Sequence, residues 1–81
     1  MSQKILIIED EPDIRKTLEY NISREGYKVV SASSLSEGKE QINSSDFSLI
    51  LLDLMLPDGS GLDLCREIKS DKDKSSTPII I

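Results

Sequence analysis

The chain has 81 residues, 37% of them hydrophobic and 31% charged, with a net charge of −5, one cysteine and no tryptophan. This is one domain or part of one, and a chain so short buries only about 60% of the surface its unfolded form exposes. The acidic balance argues against nucleic acid or an anionic membrane as a direct partner. The lone Cys65 rules out an internal disulfide and fits a reducing, cytoplasmic setting, and no apolar run approaches the roughly 20 residues that cross a bilayer.

The first element is the run Lys4 to Ile8, "KILII", which is almost continuously apolar. That pattern suits a strand covered on both faces, as in a parallel sheet. Glu9, Asp10 and Glu11 follow at once, and then Pro12, suited to the first position of a helix, with Asp13 in its first turn. Ile14, Leu18 and Ile22 recur every four residues and predict an apolar helix face, ended by Gly26.

Tyr27 to Ala32, "YKVVSA", is more polar and reads as an edge strand. Ser34-Leu35-Ser36-Glu37 is a capping-box pattern that opens a second helix, with Leu35 and Ile42 on its apolar side. Ser48 to Leu52, "SLILL", is a third strand of the buried type, and it runs directly into Asp53. A third helix is expected after Gly61, with Leu64 and Ile68 one turn apart and Cys65 beside them as a small core residue. The polar run Ser70 to Pro78 is a loop leading into Ile79-Ile80-Ile81, the start of a fourth strand.

The order β-α-β-α-β-α-β implies right-handed crossovers and an open sheet with helices on both faces. In such a sheet, ligands bind beyond the carboxyl ends of the strands, where strand order reverses. If the first and third strands are neighbours there, Glu9, Asp10 and Asp53 converge. Carboxylates that converge repel one another, and a hard divalent cation with oxygen preference relieves them. An acid near a helix N-terminus is ordinarily a helix signal, which covers Asp10 or Glu11 taken singly. Asp53 has no such account, because no helix begins until several residues later.

The stretches "KILIIEDEPDIRKTLE", "LILLDLMLPDGSGLDLCREIK" and "TPIII" resemble the receiver domain of two-component response regulators, of the phosphate-regulator and chemotaxis type. The resemblance implies a flavodoxin-like, three-layer α/β/α fold with strand order 2-1-3-4, the fifth strand and last helices lying past Ile81. Residues 1–81 are thus expected to be a C-terminally incomplete receiver domain. The resemblance further implies that Asp53 is the phosphoacceptor, that Asp10 binds Mg²⁺ directly with Glu9 assisting through water, and that Met55 offers its backbone carbonyl to the metal. Pro57 and Gly61 would shape the loop after the acceptor. The hydroxyl and lysine that receivers also use would fall beyond the end of this sequence.

The implied function is a regulatory phosphoacceptor rather than an enzyme, loaded by a sensor histidine kinase. It would switch an output domain or downstream partner, with transcription control as the expected output and a homodimer as one assembly it allows. The alternative is a receiver-like interaction module that is never phosphorylated. An aspartyl-phosphate enzyme of the dehalogenase-like class fits less well, since Met55 stands where such enzymes carry a second carboxylate. Asp71-Lys72-Asp73-Lys74-Ser75 echoes the start of a calcium loop but lacks its glycine and distal glutamate, leaving a solvated turn.

Overall fold

Four parallel strands carry the chain: β1 (Lys4–Ile8), β2 (Lys28–Ala32), β3 (Leu49–Leu52) and, last, β6 (Ile79–Ile80). They lie in the order β2-β1-β3-β6, so the strand order reverses between β1 and β3 while every pairing stays parallel. The computed structural model describes residues 3–81. In-register pairing sets Ile8 opposite both Ala32 and Leu52. The carboxyl ends of the three strands therefore finish level.

Three helices connect the strands: α1 (Pro12–Arg24), α2 (Leu35–Ser44) and α3 (Gly61–Ser70). Side chains alternate across a strand, and the sheet sorts them accordingly. Leu6, Ile8, Ile50 and Leu52 join Leu35 and Ile42 of α2 and Leu64 and Ile68 of α3 in one buried cluster. Ile5 and Ile7 face the other way, toward Ile22 and Leu18 of α1. Leu6 and Ile7 are fully buried, at 0% exposure, which places the two-sided core on β1. A strand buried on both faces is what the unbroken "KILII" run anticipates.

Helix ends are where local sequence acts most directly. Pro12 opens α1, and Gly26, at φ +92°, follows its end with its N–H bonded to the Ser23 carbonyl at 3.1 Å. Ser34 caps α2, its Oγ accepting the Glu37 N–H at 3.2 Å. The reciprocal half of the expected capping box falls one residue short: the Glu37 carboxylate accepts the Ser33 N–H at 2.7 Å and the Ser33 hydroxyl at 2.8 Å. Ser60 caps α3.

Two expectations need correction. The helix face Ile14-Leu18-Ile22 is only partly covered: Leu18 and Ile22 are half-buried and Ile14 is 50% exposed, so α1 buries none of its residues fully. Ile14 sits in the first turn, ahead of the sheet surface that Leu18 and Ile22 reach. Between Asp53 and α3 the expected plain loop is a small antiparallel hairpin, β4 (Met55–Leu56) with β5 (Gly59–Ser60). Cys65 is half-buried and packs against the main cluster, as a small core residue should. Among the described residues no helix is long and apolar enough to cross a membrane.

Candidate functional site

The sheet's ladder continues one residue past its strands. Glu9 N–H bonds the Ala32 carbonyl of β2 at 3.0 Å, and Asp53 N–H bonds the Ile8 carbonyl of β1 at 3.0 Å. Both acids thus hang from a fixed backbone while their side chains leave the sheet. Asp10 follows where β1 has ended, which frees it from strand alternation and lets it turn toward the same point. One carboxylate oxygen from each of Glu9, Asp10 and Asp53 lies within 4.8 Å of the others.

Such a cluster is electrostatically strained. Burial, and after it contacts with Asp53 and Asp10, push the Glu9 carboxyl above its ordinary value, against a partial offset from the Glu11 N–H that its Oε2 accepts at 3.2 Å. Among the described residues, no ion pair involves any of the three acids. An all-oxygen, uncompensated acidic set is what a hard dication such as Mg²⁺ selects, so the residues fit that ion.

The loop after β3 closes tightly. Asp53 Oδ1 accepts the Met55 N–H at 3.3 Å, and Gly61 N–H bonds the Leu54 carbonyl at 2.8 Å. A methyl on Gly61 would overlap the Asp53 carbonyl oxygen and stand 3.1 Å from both its carbon and the Leu54 Cα. Only glycine allows α3 to start this close to the end of β3. Met55 sits on the turn after Asp53 and is 82% exposed, while Leu56, the next residue, is buried in the core and anchors the turn.

Two residues of the site escaped the sequence reading. Arg15, half-buried on α1, donates from Nη1 to the Glu9 carbonyl at 2.9 Å and to the Asp10 carbonyl at 3.4 Å, bracing the acidic loop from behind. Asp58 reaches from the hairpin to the start of α2. No spacing in the sequence marks either contact, because both depend on how separate elements meet.

A family model described as "Response regulator receiver domain" matches residues 5–81. The Staphylococcus saprophyticus response regulator ArlR is 42% identical over 78 residues, covering 96% of this chain and 34% of that protein. The Bacillus subtilis alkaline phosphatase synthesis transcriptional regulatory protein PhoP is 38% identical over 72 residues, covering 89% of this chain and 30% of that one. The chain therefore spans about a third of the length of these curated relatives. The response regulator protein TrrA of Thermotoga maritima, solved in complex with Mg(2+)-BeF, superimposes with a TM-score of 0.84 at 26% identity, covering 98% of this chain and 85% of that one.

The chain belongs to the response regulator receiver domain family. Its class is thereby that of a two-component signal-transduction receiver, a regulatory phosphoacceptor domain. Receiver domains bind Mg²⁺ at an acidic pocket, and this chain gathers the acidic side chains of Glu9, Asp10 and Asp53 in one cluster.

Proposed function

We propose that this receiver accepts a phosphoryl group from the phosphohistidine of a sensor histidine kinase onto Asp53. The observation that carries the reading is the meeting of Asp53 with Glu9 and Asp10 at the level carboxyl ends of β1 and β3. Asp53 is the nucleophile. One carboxylate oxygen attacks phosphorus, the P–N bond to the imidazole breaks, and its electron pair returns to the ring nitrogen. β3 holds the attacking group in line, and the protein otherwise contributes position and charge, as phosphoryl transfer requires.

Glu9, Asp10, Asp53 and the Met55 carbonyl would hold Mg²⁺, with Glu9 acting through water. When bound, the ion neutralises charge on the phosphoryl oxygens. Arg15 keeps the acidic loop in place through its backbone carbonyls. The phosphorylated form adds roughly two negative charges to the pocket, which biases the surrounding loops and signals to an output domain. The name of the PhoP relative, a transcriptional regulatory protein, supports transcription regulation as the output. A cytoplasmic setting agrees with the lone, unpaired Cys65.

The test is mass spectrometry after incubation with MgCl₂ and a small-molecule phosphodonor such as acetyl phosphate. The protein should gain one phosphoryl group, and neither the Asp53→Asn variant nor the chelated parent should do so. Equal gain by Asp53→Asn overturns the assignment.

A further inference from the structure

The hairpin that carries Met55 is held at both ends. Its base is closed on Asp53 by the Met55 N–H and by the Gly61 N–H bond to Leu54. Its tip does not float in solvent but rests on the N-terminus of α2. There the Asp58 carboxylate accepts the Leu35 N–H through Oδ1 at 2.8 Å and the Ser36 N–H through Oδ2 at 3.0 Å. These amides are the first two of α2 and have no partner within their own helix. Ser34 Oγ takes the third, so the local cap and the distant carboxylate together satisfy the whole turn.

A second contact fixes the same junction. Gly59, at φ +151°, packs so closely over Leu35 that an added Cβ would stand 2.7 Å from Leu35 Cδ1. Leu35 belongs to the main core. The hairpin tip is thus fastened to a rigid element by two polar bonds and a steric seat, while its other end holds the acceptor turn. Only the five residues 54–58 lie between Asp53 and Gly59, and four of the hairpin residues are paired across β4 and β5, so little slack remains between the two ends.

We propose that Asp58 is a positioning residue for phosphoryl acceptance: by clamping the hairpin to the α2 N-terminus it sets where the Asp53–Met55 turn stands relative to Glu9 and Asp10. It touches neither the acceptor nor the gathered carboxylates. The inference rests on the proposed roles of Asp53 and Met55. The helix amides also hold the Asp58 carboxyl below its ordinary value, Leu35 first and Ser36 next, consistent with a carboxylate that stays charged in the clamp. The same joint gives α2 a direct sense of the acceptor turn, because moving the turn drags on the helix cap.

Two-dimensional ¹⁵N–¹H spectra of parent, Asp58→Ala and Asp58→Asn, titrated with MgCl₂ alone, test this. In Asp58→Ala the amides of Leu35 and Ser36 should shift, and those of Asp53, Leu54 and Met55 should shift with them although no contact there was altered. The apparent Mg²⁺ dissociation constant should weaken by roughly tenfold, the scale of losing an outer support of a metal site. Asp58→Asn, which keeps one acceptor oxygen and the shape, should fall between, and it decides the matter should the alanine variant not fold. Shifts confined to residues 34–37 and 57–60, with an unchanged Mg²⁺ titration, overturn the inference. Absence of Mg²⁺ binding by the parent defeats the proposed function instead, and the amide shifts of residues 53–55 still decide whether Asp58 positions the turn.

Discussion

Replacing Gly61 by alanine separates the two demands made on this position. In an unconstrained helix the change is favourable: alanine is the better helix former by about 1 kcal/mol, and it reduces the freedom of the unfolded chain. Here the new methyl would meet backbone, namely the Asp53 carbonyl and the Leu54 Cα at 3.1 Å, and neither atom can rotate away. Forcing the start of α3 away from β3 costs about 1–3 kcal/mol for overpacking. Breaking the 2.8 Å bond from Gly61 N–H to the Leu54 carbonyl adds about 1 kcal/mol. The balance is a net loss of about 1–3 kcal/mol. A domain of this size loses about 4–8 °C of melting temperature per kcal/mol, so Gly61→Ala should melt roughly 5–20 °C lower. Gly38→Ala is the control. Its methyl would meet the side-chain tip of Ile8, at 2.6 Å from Cδ1, which can shift, and it sits inside α2 where alanine is favoured. Thermal unfolding followed by far-ultraviolet circular dichroism reads both variants. If Gly61→Ala melts at or above the parent, or Gly38→Ala is the more damaging, backbone contact at Gly61 does not govern the position.

Glu9 gives a pH prediction of definite sign. Its carboxyl is raised above the ordinary 4.5, so the folded state binds the proton more tightly than the unfolded one. That contribution is fully present below the unfolded value and is lost as pH rises through the folded one. In chelator at pH 7, Glu9→Gln should therefore melt higher than the parent, and the gap should close in acid below about 4.5. A variant that melts lower at pH 7 would show that the folded state does not disfavour the charged Glu9 carboxylate. Magnesium reverses the order: at a hundredfold excess over its dissociation constant a bound ion stabilises by about 2.7 kcal/mol, a gain that Asp10→Asn should largely forfeit. Calorimetric scans with and without MgCl₂ measure it, and equal gains in the two proteins would remove Asp10 from the metal site.

What the sequence reveals about this fold follows from how burial writes itself into residue order. β1 and β3 are legible because both faces of each are covered or partly covered, which produces runs such as Leu49–Leu52 with no polar break. Pro12, Gly26 and Ser34 are legible because caps act within a few residues of themselves. The convergence of Glu9, Asp10 and Asp53 is legible once strand order is known, since the pairing of Ile8 with Leu52 brings the residues that follow both strands to one edge of the sheet. The β4–β5 hairpin could not be read, because two-residue strands have no period, and Pro57-Asp58-Gly59 looks like any turn. Ile14 misled for the opposite reason: its spacing with Leu18 and Ile22 is helical, but periodicity says nothing of how far along the helix the covering surface extends.

The cost of an aspartate on an apolar strand becomes intelligible from the geometry of the sheet's edge. Leu52 is buried at 3% exposure while Asp53, the next residue, is half-buried and turned outward. Its peptide still belongs to the sheet through the Ile8 carbonyl, so the carboxylate is aimed without being immersed, and the desolvation penalty of a buried charge is mostly avoided. The Glu9 carboxyl beside it is raised, by burial first and then by its contacts with Asp53 and Asp10. The proposed phosphorylation of Asp53, or a cation bound as proposed, would change the charge at this cluster. Such a change would have a mechanical exit, because the turn that begins at Asp53 ends on the first amides of α2 through Asp58. Charge at the strand tip and the seating of a helix are therefore joined by one short, internally paired segment of chain.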